Sequence, residues 1–538
     1  MFMNMPKRLS RLFIFIVLFL LSIVSVHAQD ARTKLIVGTT YIIDVLNPTT
    51  SLYGYAPKGL IYETLVEAAD GSNVMPGLAE SWSSSADGLV WTFKIRPGVT
   101  FSDGTPCTAV EAAWTLNWYI KVSAPAVVSY LNDITKIEAT DATTLKITVS
   151  EPVPNMISAK LLYAYILPPH VWEKLTTDEV ATFDDPSVSI GSGPYIMTDF
   201  KDGEYMILDA APNYWRGKAP VDEIIYRQYA NEDALVQALQ SGEVDYIYGV
   251  PFTGISALEK DPNIKIDSNL ANKWSELTVN EAPDGTEPAS LRDPIIRQAI
   301  DLSIDRQQII NVAYLGFGKP GNAFITLGMG IYHNTNIGEI PFDTAQANKL
   351  LDDAGYKDTD GDGIREYKDG TPLVYRLMTD DTSSANFRII QIISVGLTDI
   401  GISAPPTVES TDSLVARQKD FDYDLVHWEW DTDADPHFLT SVFTCAETQD
   451  GGWNDSGFCS PEYDKLFQEQ ATQPDVNLRK DIIWKMQDII AKERPWLILA
   501  YTDSIAAYRK DRFTFDPLNA ISTFKWAIYN GFTIQKSS

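Results

Sequence analysis

Alternating apolar and polar side chains predict a strand at residues 91–96, where Trp91, Phe93 and Ile95 would face a core and Thr92, Lys94 and Arg96 water. Asp87-Gly88, Pro97-Gly98 and Asp103-Gly104 punctuate the region as turns, so it reads as a small β-meander. The glycines of GSGPYIMTDF (191–200) predict a turn entering strands, with Gly193-Pro194 structural rather than a phosphate cradle. Residues 231–240 read as a helix feeding a strand at 244–248. From Asp293 the period becomes helical. Asp293 can cap and Pro294 can open a helix whose inner face is Ile295, Ile296, Ala299, Ile300, Ser303 and Ile304. Asp305 with Gln308, and Asp343 with Gln346, have capping-box spacing; the first helix ends near Gly316 and the second at Gly355. Residues 386–400 and 476–493 are amphipathic helices, and 421–426 and 497–501 apolar strands. Strands alternating with helices predict a mixed α/β lobe.

The N-terminus has a different pattern. Lys7, Arg8 and Arg11 precede a charge-free apolar run at 12–26, and Val26-His27-Ala28 offers a signal-peptidase site, with a mature start at Gln29. Fifteen apolar residues fall short of the roughly 20 that span a bilayer, which argues against an uncleaved anchor. No cysteine follows the run, so a periplasmic or secreted protein without a lipid anchor is expected. The remaining length exceeds the ~250–300 residues at which a single core stops growing, so at least two lobes are expected. A formal charge of −29 repels nucleic acid and anionic lipid.

The sequence IYETLVE…PGLAESW…DGLVWTFKIRPGVTFSDGTP within 61–106, followed by GSGPYIMTDF and NYWRGKAPVDEIIYR, closely resembles family 5 extracellular solute-binding proteins, the oligopeptide- and dipeptide-binding components of ABC importers. The resemblance spans nearly all of the mature chain. It implies an α/β, two-lobed hinged periplasmic-binding-protein fold with an additional inserted subdomain. Residues 1–28 would be the signal peptide, 29–68 and 184–270 the first lobe, 69–183 the insert, 271–509 the third lobe, and 510–538 a first-lobe tail. Hinges would lie near Leu270 and Tyr508. The implied protein is a monomer that closes on its ligand and delivers it to ABC permease subunits.

Ligand contacts are expected in HWEWDTDADPHFLTSVFTC, residues 427–445. Trp428, Asp431 and Asp435-Pro436 match the W-x-x-D and D-P of peptide-binding relatives, with a spacer one residue longer than in dipeptide binders. The resemblance gives Asp431 the role of receiving a peptide's α-ammonium; the alternative is a turn cap in DTDADP. Arg417 resembles an arginine that some relatives turn toward a peptide carboxylate, a surface role being the alternative. Trp428 and Trp430 would pack on ligand side chains or in the core. His427, Glu429, Asp431, Asp433, Asp435 and His437 would share one face of an extended strand, which keeps a nickel-type metal binder as a rival. An oligosaccharide receptor of the same family is the main alternative.

Asp358, Asp360, Asp362, Glu366 and Asp369, with Ile364 at the backbone-ligand position and Gly363 at the sharp turn, follow an EF-hand-like spacing. A structural Ca²⁺ site is one reading and an acidic hairpin turn the other; no cofactor is required. Cys445 and Cys459 would close a short polar loop, a pairing similar to that of dipeptide-binding relatives, leaving Cys107 as a packed thiol. The chain lacks G-x-S-x-G, H-E-x-x-H and a phosphate loop, so a binding protein is expected rather than an enzyme, with an extracellular hydrolase the remote alternative.

Overall fold

The computed structural model describes residues 32–40, 43, 47–50, 57–68, 73–283, 288–431, 435–449, 451–514 and 535–536. The expected signal segment and most of the C-terminal tail lie outside them. An eleven-stranded sheet organises the molecule. Its strands are β1 (Lys34–Thr39), β2 (Tyr195–Lys201), β3 (Tyr205–Ala210), β4 (Glu223–Gln228), β5 (Tyr246–Tyr248), β6 (Ile264–Val279), β7 (Gly318–Pro320), β8 (Leu377–Asp380), β9 (Pro406–Glu409), β10 (Leu425–Asp431) and β11 (Trp496–Arg509). The order is β9-β8-β10-β6-β11-β5-β1-β4-β3-β2, with β7 on β11.

Two long antiparallel strands carry the chain across the sheet. The first half of β6 pairs with the last half of β11, from Ile264–Arg509 to Leu270–Asp503. The register then shifts and resumes at Trp274–Tyr501. Below the shift β11 also pairs β5, and above it β6 pairs β10 from Lys273–Asp431 to Val279–Leu425. Tyr508 lies within the lower ladder, opposite Lys265 and Tyr246.

The β-meander is a separate four-stranded sheet of Ala79–Ser84, Val90–Ile95, Thr144–Val149 and Ile134–Asp141. Phe93 and Ile95 are buried and Lys94 exposed, as alternation predicts. The two signature segments meet in space. Glu63 accepts hydrogen bonds from Tyr214 Oη (2.6 Å) and Trp215 Nε1 (2.8 Å), and Glu67 pairs with Arg216 at 2.7 Å. Trp215 lies under the guanidinium groups of Arg96 and Arg216, each 4.5 Å from its ring. Gly191 is required by close approach, since a Cβ there would meet the Ile61 carbonyl oxygen at 2.1 Å.

Helix prediction succeeds where caps and period agree. Asp293 accepts from Ile295 N ahead of Pro294–Leu302, whose Ile296, Ala299 and Ile300 are buried. Asp475 caps Val476–Glu493 and Asp343 caps Thr344–Ala354, with Gly355 left-handed. Arg306–Val312 stops short of Gly316. The strand expected at 421–426 begins at Leu425, because Phe421 takes a left-handed φ of 51° in the turn after Thr411–Lys419. No helix among the described residues is long and apolar enough to cross a membrane.

Candidate functional site

Strand β10 separates its side chains by parity. The odd face begins in the core: His427 contacts Ser275 Oγ and Thr379 Oγ1, each at 2.9 Å, and burial pulls its pKa down to about 4. Glu429 accepts from Tyr314 Oη at 2.7 Å. Asp431 ends the strand, exposed, in register with Lys273.

The even face carries tryptophan. Trp430 stacks on Trp274 (ring centroids 6.2 Å apart, planes at 9°) and touches Trp496, Trp453 and Phe438. Its Nε1 donates to Glu276 Oε1 at 3.0 Å, while Trp274 Nε1 donates to Oε2 at 2.9 Å. Trp428, half-buried, packs beside Leu414, Tyr423 and Val426. Together Trp428 and Trp430 wall a cavity of about 110 Å³ with Trp453, Phe421, Asp455 and residues of the disulfide loop. The Cys445–Cys459 bond closes that loop, and Cys107 is a buried thiol whose pKa burial raises.

Arg417 is not among the residues lining this cavity. Its guanidinium holds Glu409 at 3.0 Å and Asp422 at 2.5 Å, which fixes the end of its own helix.

Asp435 turns away from solvent into an ion pair. Both its oxygens meet Arg479, at 2.7 and 2.8 Å, and Ser158 Oγ donates to Oδ2 at 2.6 Å. Burial pushes the Asp435 pKa up, but the Arg479 charge and these hydrogen bonds outweigh it and leave the carboxyl at about 2. His437, beyond this turn, opens Pro461–Ala471's neighbour helix His437–Val442 and contacts Gln470. The six acids and histidines are therefore not one extended face: β10 ends at Asp431, and Asp435 is committed to Arg479. Asp433 lies outside the described residues.

The acidic loop does converge. Carboxylate oxygens of Asp358, Asp360, Asp362 and Glu366 lie within 4.8 Å of one another. Asp358 accepts from Gly361 N and Gly363 N, Asp362 from Ile364 N, and Glu366 from Thr359 N. Asp369 is not in the cluster; it accepts from Thr371 N in the following turn.

Sequence reasoning missed Arg479, Ser158, Glu276, Asp455 and Trp453. Arg479 had a visible signal: it falls on the same helical face as Ile483, Met486 and Ile490, all buried.

The family described as "Bacterial extracellular solute-binding proteins, family 5 Middle" matches residues 73–450. The oligopeptide-binding protein AppA of Bacillus subtilis is 25% identical over 465 residues, covering 83% of this chain and 82% of its own. The nickel-binding periplasmic protein of Escherichia coli is 26% identical over 396 residues, covering 72% of this chain and 73% of its own. Among solved structures, a periplasmic oligopeptide-binding protein of an ABC transporter from Thermotoga maritima superposes with a TM-score of 0.83 at 22% identity, over 95% of this chain and all of that one. This likeness establishes a two-lobed α/β binding-protein fold.

Proposed function

Because the chain belongs to the family 5 bacterial extracellular solute-binding proteins, we propose that it captures a peptide between its lobes and presents it to the permease subunits of an ABC importer, which hydrolyses ATP elsewhere. The observation that carries this reading is the tryptophan-walled cavity on the even face of β10, beside a strand whose exposed end residue Asp431 is on the odd face and does not line that cavity. Asp431 would receive the peptide's α-ammonium, Trp428 and Trp430 its side chains. Arg417, engaged by Glu409 and Asp422, would act only by positioning that helix.

Hinge motion would centre on the register shift between Leu270 and Trp274, opposite Asp503 and Tyr501, rather than near Tyr508, which lies within the lower ladder. The first lobe (29–68, 184–270, and the tail from 510), the insert (69–183) and the third lobe (expected as 271–509) would move about it as units of a monomer, with 503–509 going with the first lobe, whose residues 264–270 and 246–248 it pairs. A ligand that touches both lobes only when shut shifts the open–closed balance. Taking that balance from 1:99 to 99:1 needs about 5.5 kcal/mol of preference for the closed form. A charge-assisted contact at Asp431 and backbone hydrogen bonds to an extended peptide are suited to supply it. Export through a signal peptide cleaved before Gln29 fits this role. A structural Ca²⁺ in the loop of Asp358, Asp360, Asp362 and Glu366, with the Ile364 carbonyl, is part of the same proposal; Asp369 would serve only as an outer residue.

The tryptophan faces also suit sugar rings, which makes an oligosaccharide the second reading. Native mass spectrometry of protein purified without denaturation separates them. A co-purified mass that fragments into amino acids supports the peptide reading, whereas hexose losses or a metal ion at the cleft would replace it.

A further inference from the structure

Resting on the peptide reading, we propose that the cavity beneath the disulfide loop is a side-chain subsite selective for a cation on an apolar stem, as in arginine or lysine. The walls are aromatic: Trp428, Trp430, Trp453 and Phe421. The charged lining residues are Asp455 and Glu447, against the single cation Lys419. An indole face attracts a cation through its quadrupole while the stem packs against the ring.

Among the described residues the inner carboxylate has no counter-charge. Asp455 Oδ1 accepts from Trp496 Nε1 and Oδ2 from Gln418 Nε2, both at 3.0 Å and both neutral donors. Nearby, fully buried Glu276 is satisfied by Trp274, Trp430 and Thr278, again neutral donors. Three other buried acids of this half of the molecule hold arginines, Asp435 with Arg479, Asp301 with Arg306 and Asp424 with Arg376, whereas buried Asp380, like Asp455, is met by neutral donors, Thr382 and Asn386. Burial lifts the Asp455 pKa to about 7, and the repulsion between Asp455 and Glu276 adds to burial in raising that of Glu276. A guest guanidinium or ammonium would supply the missing positive charge. A neutral guest would leave it missing, and an anionic guest would meet repulsion. Eight of the lining residues fall between Glu447 and Asp455, inside the Cys445–Cys459 loop, so the disulfide holds one wall of the subsite in place.

The test compares two isosteric pairs by calorimetry and tryptophan fluorescence. One pair is Ala-Arg-Ala and Ala-citrulline-Ala; the other is N-acetyl-arginine amide and N-acetyl-citrulline amide, which lack free peptide termini. Arginine is expected to exceed citrulline by about tenfold in both pairs, the scale of one charge-assisted hydrogen bond. Asp455→Asn should abolish the preference, and Trp453→Ala, at an exposed rim position, should weaken the arginine probes without loss of folding. Equal binding of the two tripeptides overturns the subsite while leaving the peptide reading intact. Preferential binding of the blocked arginine without tripeptide binding keeps the subsite and removes the peptide reading. Binding of neither pair, or a preference that survives both substitutions, overturns the subsite.

Discussion

Ser158 donates a hydrogen bond of 2.6 Å to Asp435, a residue 277 positions away in sequence. It joins the short helical segment Met156–Lys160 to the turn that follows β10. Asp435 is itself held by both arms of the Arg479 guanidinium, with side chains 1% and 2% exposed. The contact therefore ties the segment before the disulfide loop to a distant part of the chain through a sealed ion pair.

Arg479→Leu should destabilise the protein by about 3–5 kcal/mol, because it leaves the Asp435 carboxylate buried and unpaired. Combining it with Asp435→Asn should recover much of that loss. Urea denaturation monitored by tryptophan fluorescence measures both. If the single variant matches the parent, the ion pair carries no structural role.

Acid should remove the contributions of His427, His437 and Asp435 to stability in two steps. The first is opposed by buried carboxyls such as Asp455 and Glu63, whose folded pKa values are raised to about 7 and which add stability as pH falls. His427 and His437 have folded pKa values lowered to about 4 by burial, so below the usual ~6.5 the unfolded chain takes up protons that the folded one does not. Their stabilisation is full above ~6.5 and is lost as pH falls toward 4. For His427 alone the loss amounts to about 3 kcal/mol. Asp435, held at about 2, adds a second loss as pH falls from the unfolded value near 4 through 2. His427→Asn should flatten the first step in a plot of melting temperature against pH. An unchanged slope would mean that the imidazole is already charged in the fold.

Ca²⁺ should raise the melting temperature through the loop of Asp358, Asp360, Asp362 and Glu366. At 100 times its Kd the ion would contribute about 2.7 kcal/mol. Asp358→Asn should abolish the response, because it weakens a ligand that also ties Gly361 and Gly363. Identical melting curves with chelator and with Ca²⁺ would establish an acidic turn that needs no ion.

Local signals explain what the sequence disclosed. The face of Ile296, Ala299 and Ile300 and the Asp293 cap follow from spacing alone, as does the alternation of Trp91, Phe93 and Ile95. The strand expected from Phe421 was misplaced because aromatic character outweighed the left-handed turn that Phe421 itself makes. The candidate site was legible only along one strand. Trp428, Trp430 and Asp431 share a seven-residue element, whereas Asp455, Glu276 and Arg479 reach the same region from segments that no local period connects. Arg417 was expected at the ligand by resemblance, with a surface role the alternative, and its partners Glu409 and Asp422 do not show as partners in a linear pattern.

The central claim is that Asp431 anchors a peptide's free amino terminus, and calorimetry with one tripeptide in free and N-acetylated forms tests it most directly. The unmutated protein should bind the free form and lose several kcal/mol with the acetylated one, since breaking a desolvated ion pair costs about 3–5 kcal/mol. Asp431→Asn, which keeps size and removes charge, should weaken the free peptide by a similar amount while leaving the melting temperature near that of the parent. Equal affinities for the free and acetylated forms would contradict the claim and return Asp431 to the role of a turn residue at the end of its strand.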